Sequence, residues 1–168
     1  QNTGDFVASI PSPANQAYTE TRYFNSPLNR IRGTTPPAWF ENLMDYESNA
    51  TNEVQNLATG MPYAANTLNK QIITDPDDKR TISYTDRRGR LVMTRRDSVG
   101  SPNFTETYRL YDLKERPIKI IPPAATLNDG NLVYSYLYND DDQPILQKIP
   151  DKDTVYMQYD DRELLTAM

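Results

Sequence analysis

Short runs of apolar residues alternate with polar clusters along the second half of the chain, which is the pattern of β-strands joined by tight turns. The runs are rich in Ile, Val, Tyr and Thr, residue types that favour strands. A run, a turn and a second run recur five times. The predicted strands are 68–74, 80–85, 90–95, 105–111, 116–121, 132–138, 143–149, 154–159 and a final run that begins at Leu164. This pattern predicts an all-β fold, an antiparallel meander of stacked hairpins.

The first part of the chain reads differently, because prolines interrupt it and regular alternation is missing. We expect an irregular N-terminal arm over 1–62 that packs on a hairpin array over 63–168, the two forming one continuous unit. A short strand is predicted at 17–24. Residues 39–60 stay open between a short helix and an irregular strand, since apolar residues at helical spacing compete with the turn-prone cluster 45–49. The prolines of the arm are Pro11, Pro13, Pro27, Pro36 and Pro37.

The apolar content predicts a thin core. Hydrophobic residues make up 37% of the chain, and the mean hydropathy is -0.77. Aromatic residues are mostly tyrosines, with 12 Tyr against 4 Phe and 1 Trp. A Tyr ring can pack while its hydroxyl stays in water, which suits a sheet with one face near solvent. The 13 prolines argue against long helices, because proline removes a helix hydrogen bond.

The charge and the missing residue types exclude several functions. The net charge of -5 argues against a nucleic-acid partner, which would need a basic face. Strand alternation should split the basic cluster between residues 79 and 96 over two faces of a sheet. The chain has no Cys and no His, so it lacks thiol nucleophiles, disulfides, imidazole bases and the usual zinc ligands. We therefore expect no catalytic residues, no enzyme activity and no cofactor.

Acidic clusters at 75–78, 140–142 and 151–153 could offer oxygen ligands to calcium, but an ordinary turn explains each of them. None has the alternating ligands, central Gly and late Glu of a calcium loop, so no metal site is expected. No run of 18 apolar residues is present, and we expect no membrane span. The chain starts at Gln1 and stops within an apolar run, which suggests a truncated piece of an exported protein.

Internal repetition is the most informative feature of the sequence. Four turns begin with an acidic or amide residue, and a Tyr precedes three of them. An Asp or Asn starts a turn by accepting hydrogen bonds from nearby backbone N–H groups. We expect each Tyr to pack across its own hairpin against the returning strand, with the Arg over a ring or paired with the turn carboxylate. The signature residues are Asp86, Gly89, Arg90, Tyr111, Asp112, Arg116, Tyr138, Asn139, Tyr159 and Asp160.

These motifs resemble those of the YD-repeat family, which includes Rhs proteins, the shell-forming components of insecticidal toxin complexes, and teneurins. Segments 111–118 and 159–162 carry the signature, 138–145 is a degenerate copy, and 85–92 lacks the family Tyr. Glu115 and Asp142 stand where the family often has Gly. More narrowly, the order resembles the uncharacterised N-terminal domain that precedes the repeat core in bacterial Rhs-like surface proteins. Segments 26–30 and 36–39 resemble motifs before those repeats, so the resemblance covers roughly residues 17–168.

The resemblance implies a non-enzymatic structural fragment of a large protein that is secreted or held at a bacterial cell surface. It would contribute to a β-sheet shell or stalk, and its partners would be the rest of its own longer chain and a C-terminal cargo or toxin domain, or a surface partner. We also expect the C-terminal strands to pair edge to edge with a second copy. The alternative is a secreted module that binds carbohydrate or protein. An exposed row of Tyr rings beside a groove would favour that alternative, whereas rings buried between hairpins would favour a scaffold.

Overall fold

The computed structural model describes residues 18–37, 40–100, 102–123 and 125–167. Within these ranges the only regular elements are β-strands, so the predicted all-β antiparallel meander is confirmed. The described part contains no helix that is long and apolar enough to cross a membrane. The strands are β1 (Glu20–Tyr23), β2 (Ile31–Thr35), β3 (Asn42–Ser48), β4 (Gln55–Asn56), β5 (Met61–Pro62), β6 (Asn69–Thr74), β7 (Lys79–Thr85), β8 (Leu91–Ser98), β9 (Phe104–Tyr111), β10 (Pro117–Ile121), β11 (Tyr134–Tyr138), β12 (Pro144–Lys148), β13 (Val155–Tyr156), β14 (Gln158–Tyr159) and β15 (Leu165–Ala167).

Eleven of these strands form one antiparallel sheet in the order β1-β2-β3-β6-β7-β8-β9-β10-β11-β12-β13. Strands β4 and β5 pair with each other inside the connection between β3 and β6, and β14 pairs with β15. The predicted strand 154–159 is broken at Met157, whose backbone N–H donates to the Ile145 carbonyl at 3.0 Å. The chain therefore continues from the edge strand β13 into a separate small hairpin.

The hydrophobic core lies on one face of the sheet, which we call the core face. Directly paired residues of antiparallel strands share a face, and the register pairs Tyr84 with Met93 and Met93 with Tyr108. Residues 49–68, the connection between β3 and β6, lie over these strands; we call them the covering loop. Its residue Val54 is completely buried. The buried cluster consists of Val54, Leu68, Ile82, Tyr84, Val92 and Met93.

Within the described residues 18–37 and 40–62, the N-terminal region is more regular than the irregular arm expected over 1–62. Strands β1, β2 and β3 extend the main sheet, because threonines and tyrosines at 18–46 favour strand pairing and Arg22 forms an ion pair with Glu41. Of the residues 39–60 left open above, 42–48 form a strand, and the described part of this range contains no helix. The apolar residues that suggested a helix include Val54, which instead packs in the core from the covering loop. Pro11, Pro13, Ala38 and Trp39 lie outside the described residues, as does the start of the strand predicted at 17–24.

The basic cluster is divided between the two faces of the sheet, as the alternation of side chains predicts. Arg95 is paired with Ile82 in the register and therefore lies on the core face, whereas Arg96 lies on the opposite face. Arg95 forms an ion pair with Glu106 at 2.7 Å. Arg80, also on the core face, pairs with Asp97 at 2.7 Å. The cluster therefore does not form a continuous basic surface.

Candidate functional site

Five turns of identical construction lie along the meander, and we call them the turn ladder: residues 75–79, 86–90, 112–116, 139–143 and 160–164. In each turn the N–H of the first residue donates to the carbonyl of the fifth at 2.9–3.0 Å. The N–H of the fourth residue donates to the carbonyl of the first at 2.9–3.3 Å. Four of these turns were predicted as repeats. The turn at 75–79 was predicted as a turn but not as a fifth copy of the repeat.

The side chain of the first residue stabilises each turn from within. Its Oδ1 accepts the backbone N–H of the fifth residue at 2.8–3.0 Å in all five turns. Asp112, Asn139 and Asp160 therefore accept the backbone hydrogen bonds expected of them. The same bonds act on acidity: burial raises the pKa of Asp86 and Asp112, but hydrogen bonds from Arg90 and Arg116 outweigh it, so both pKa values lie below their usual value. The backbone N–H of Leu164 is the main cause that lowers the pKa of Asp160.

The fourth residue of every turn has a positive φ, a conformation that favours glycine. Only Gly89, at φ 82°, meets this requirement with the expected residue. A residue other than glycine at positive φ costs about 1–2 kcal/mol. The fourth residues of the other four turns therefore carry backbone strain. The four non-glycine residues are all acidic: Asp78, Glu115, Asp142 and Glu163.

Ion pairs between successive turns explain the acidic residues at two of these positions. Arg88, the third residue of its turn, bonds Glu115, the fourth residue of the next turn, at 2.9 Å. Lys114 repeats the arrangement with Asp142 at 3.1 Å. Acidic residues at positions 115 and 142 thus have a physical reason, since a glycine at either position would remove this contact. The relation does not continue to the last turn, where Asp141 and Glu163 are both acidic.

Each signature Tyr reaches back to the preceding turn. The Tyr111 hydroxyl donates to the Leu91 carbonyl at 2.9 Å, and Leu91 directly follows the turn 86–90. Tyr138 donates in the same way to the Pro117 carbonyl at 3.0 Å. Tyr159 donates to the Pro144 carbonyl at 3.0 Å. In all three cases the acceptor is the residue immediately after the preceding turn, so the three hydrogen bonds form a regular series along one end of the sheet.

Two arginines join the same series through the faces of the Tyr rings. The Arg90 guanidinium carbon lies 5.2 Å from the centroid of the Tyr111 ring, and that of Arg116 lies 4.7 Å from the Tyr138 ring. Each Arg also pairs with the first residue of its own turn, at 2.6 Å for Arg90 and 2.7 Å for Arg116. In the register Tyr111 and Tyr138 also lie directly opposite Pro117 and Pro144 of their own returning strands, so the contact with the preceding hairpin is an additional one. All three hydroxyls find a carbonyl acceptor just after the preceding turn, and for Tyr111 and Tyr138 that turn also supplies a cation.

The structure brings all ten signature residues into the turn ladder or the strand ends beside it. The fifth residue of the turn changes along the chain. In the fourth turn Gln143 replaces the Arg, and its side-chain oxygen accepts a hydrogen bond from Asn139 Nδ2 at 2.7 Å. Leu164 holds the corresponding place in the last turn and is exposed. The Arg–Tyr stacking thus covers the middle of the ladder, while the Tyr-to-carbonyl hydrogen bond extends one unit further.

A second polar group, which sequence reasoning missed, fixes the covering loop. Asn49 is only 1% exposed, and its side chain bridges both ends of the loop. Its Oδ1 accepts the N–H groups of Thr67 and Leu68 at 3.0 and 2.8 Å, and its Nδ2 donates to the Ala64 carbonyl at 2.9 Å. These partners lie 15–19 residues away along the chain. Asn49 was seen only as the last residue of the turn-prone cluster 45–49, and its partners could not be identified from spacing.

Glu53 ties the middle of the covering loop to the core face. Its carboxylate accepts the Tyr84 hydroxyl at 2.8 Å, pairs with Lys70 Nζ at 3.0 Å and accepts the Ala50 N–H at 2.6 Å. Burial raises the pKa of Glu53, but the hydrogen bonds from Ala50, Tyr84 and Lys70 outweigh it and lower the pKa below its usual value. Burial and the neighbouring carboxylate both raise the pKa of Tyr84, so the phenol stays protonated. The group therefore consists of the neutral Tyr84 hydroxyl and the positively charged Lys70, both in contact with the Glu53 carboxylate.

Three side chains of β8 and β9 complete this group. Arg95 donates to the Glu53 carbonyl at 3.3 Å and to Glu106 Oε1 at 2.7 Å. The Tyr108 hydroxyl donates to Glu106 Oε2 at 2.7 Å, and burial is the first cause that raises the pKa of Tyr108. Among the described residues no buried side-chain nitrogen or oxygen lacks a hydrogen-bond partner, and no cluster of three potential metal ligands occurs. Such a saturated group is suited to holding the loop in place, since each polar atom already has its partner.

Comparisons with known proteins add no family to this description. The chain matches no family model, and a search of curated proteins finds no significant match. The resemblance to YD-repeat proteins therefore rests on the sequence motifs alone.

Proposed function

We propose that this chain is a non-enzymatic structural section of an exported YD-repeat, Rhs-like protein, and that it contributes to a β-sheet shell or stalk. The single observation that carries the proposal is the series of hydrogen bonds from Tyr111, Tyr138 and Tyr159 to the residue after the preceding turn. A contact that recurs with the same partners in successive units is what a stacked repeat array requires, because each unit is stabilised by its neighbour.

The state of the Tyr rings favours a scaffold over a carbohydrate- or protein-binding module. Tyr111, Tyr138 and Tyr159 are all half-buried, and each hydroxyl is engaged by backbone. Rings that bind sugars by stacking need an exposed face. The exposed tyrosines Tyr18, Tyr23 and Tyr156 belong to strands at opposite ends of the main sheet or precede them, so they form no common row.

Grafting a further unit onto the chain tests the proposal. Residues 1–164 would be followed directly by a second copy of residues 117–148, so that the copied Pro117 follows the last turn and the copied Tyr138 can donate to its carbonyl. We expect the Tm to rise by several degrees, because the added unit shares an interface with the existing sheet. The matched control carries Phe at the copied Tyr138 and should gain less.

The result that would contradict a scaffold is equally concrete. If limited proteolysis removes the added unit while the rest stays intact, and the Tm equals that of the parent chain, then units do not stabilise each other. A glycan array that shows specific binding by the parent chain would then favour the surface module.

A further inference from the structure

Strands β10–β13 carry an apolar row on the core face that no described residue covers. The register pairs Leu137 with Leu146 and Leu146 with Tyr156, so the three side chains are neighbours on one face. Leu137 is 54% exposed and Tyr156 is 64% exposed, while Leu146 is half-buried. Apolar side chains that are contiguous and exposed mark interaction surfaces, whereas single exposed ones need no explanation.

A row of two lysines runs beside the apolar row. Lys119 is paired with Ser135, and Ser135 with Lys148. Ser135 precedes Leu137 by two positions, and Lys148 follows Leu146 by two, so both rows lie on the same face. Among the described residues neither lysine forms an ion pair, although Asp151 and Asp153 border the opening next to Lys148.

The covering loop shows what kind of segment this face accepts. Ile121, two positions from Lys119, is paired with Tyr108, which links the two rows to the face that holds the core. Over β6–β8 that face is covered by a loop that buries an apolar side chain, Val54, and places the neighbouring carboxylate of Glu53 on Lys70. On β10–β13 leucines again lie beside lysines, as apolar residues lie beside Lys70 under the covering loop, but here no described loop covers them.

We propose that the core face of β10–β13 binds an extended polypeptide segment of a partner protein, with an apolar residue and an acidic residue two positions apart. In an extended chain such residues point to the same side and lie about 6–7 Å apart, which is the spacing of Leu146 and Lys148 along β12. The apolar side chain would pack on Leu137, Leu146 and Tyr156, and the carboxylate would meet Lys148 or Lys119. This surface is separate from the turn ladder, so it stands independently of the stacking of further units.

Three labelled peptides test the proposal on the intact chain by fluorescence anisotropy. They are three repeats of Leu-Ser-Glu-Ser, of Leu-Ser-Lys-Ser and of Ser-Ser-Glu-Ser. We expect the first to bind at least tenfold more tightly than the other two, because only it satisfies both rows. Equal binding of the acidic and basic leucine peptides, or no binding of the first at 1 mM, would overturn the proposal without any variant having to fold.

Matched variants then locate the site. Leu137→Ser with Tyr156→Ser should weaken binding of the acidic leucine peptide at least tenfold, whereas Leu113→Ser, at a turn residue that is 99% exposed, should leave it unchanged. Lys119→Glu with Lys148→Glu should invert the preference between acidic and basic peptides, and Lys79→Glu should not. Equal losses in the control variants would refute the location. Light scattering that shows a dimer dissolved by Leu137→Ser with Tyr156→Ser would also refute the proposal, since the occupant would then be a second copy.

Discussion

Strands β6–β9 and strands β10–β15 belong to one meander, yet different interactions stabilise them. The covering loop lies over the first region and buries Val54 among Leu68, Ile82 and Tyr84. The hydrogen bond from the Tyr84 hydroxyl to Glu53 also holds the loop on the sheet. In the second region the side chains buried most completely are Ile121 and Val133, and Leu137 and Tyr156 stay exposed. There the contacts that recur are at one end of the strands, in the turn ladder.

The comparison shows two ways to stabilise a single sheet. Burial behind a loop gives much stability from few residues but depends on one connection, since apolar side chains must be removed from water together. The ladder gives a smaller contribution per unit and can be repeated, because its contacts are local to each pair of turns. Substitutions in the covered region should therefore cost more than equivalent substitutions in the ladder.

The largest effect is expected for Asn49→Ala. The substitution leaves the N–H groups of Thr67 and Leu68 without their side-chain acceptor, and the Ala64 carbonyl, which still accepts the Thr67 hydroxyl, loses its amide donor. The free energy of unfolding should therefore fall by about 3 kcal/mol or more. Urea denaturation measures this directly. Asn56→Ala is the control, because Asn56 is in the same loop and its side chain accepts the Ala58 N–H, a bond within the loop. Similar costs for the two variants would mean that the loop does not depend on Asn49.

The next largest effect is expected for Glu53→Gln, and it should depend on pH. The folded-state pKa of Glu53 is lowered, so its charge contributes stability above its unfolded pKa of about 4.3, and this contribution is lost as the pH falls through the folded pKa. At pH 7 the variant should be less stable by about 1–3 kcal/mol, because a charged hydrogen-bonding group is lost. Below about pH 4 the difference should shrink. Urea midpoints from pH 7 to pH 3, with the more exposed Glu47→Gln as control, would reveal the trend; a constant difference would rule it out.

Sequence reasoning found the turns more readily than the covering loop, for a physical reason. A turn depends on bonds within five residues, so the residues Asp112 and Asn139 could be recognised from their neighbours alone. Glu53 meets Tyr84 and Arg95, which are 31 and 42 residues away, and no local pattern indicates such partners. The direction of the Tyr contacts was missed because a ring beside a turn can pack on either adjacent strand.

A smaller effect is expected in the ladder itself. Tyr138→Phe removes the hydrogen bond to the Pro117 carbonyl but keeps the ring under Arg116, so the free energy of unfolding should fall by about 0.5–1.5 kcal/mol. Tyr84→Phe in the covered region is the comparison, and it should cost more because its partner Glu53 is charged. Thermal unfolding of both variants decides the order. If Tyr138→Phe costs the same or more, the ladder is not the weaker device.

The smallest effect is expected for Asp78→Gly, which should be stabilising. Asp78 has a positive φ of 59°, and glycine relieves that strain, so we expect a gain of about 0.5–1 kcal/mol. Glu115→Gly relieves similar strain at φ 68° but loses the ion pair with Arg88, and we expect no net change in the Tm. A gain in both variants would show that the pair between Arg88 and Glu115 contributes nothing to stability.

The one-way direction of the Tyr contacts has a consequence for the order in which the protein is completed during synthesis. Every acceptor carbonyl is made before its donor: Leu91 precedes Tyr111 by 20 residues, Pro117 precedes Tyr138 by 21, and Pro144 precedes Tyr159 by 15. At about 5–20 residues per second, a finished turn waits roughly one to four seconds for the ring that caps it. Each hairpin on the ribosome is thus closed by the hairpin translated after it, and structure accumulates from the N-terminal units towards the newest one.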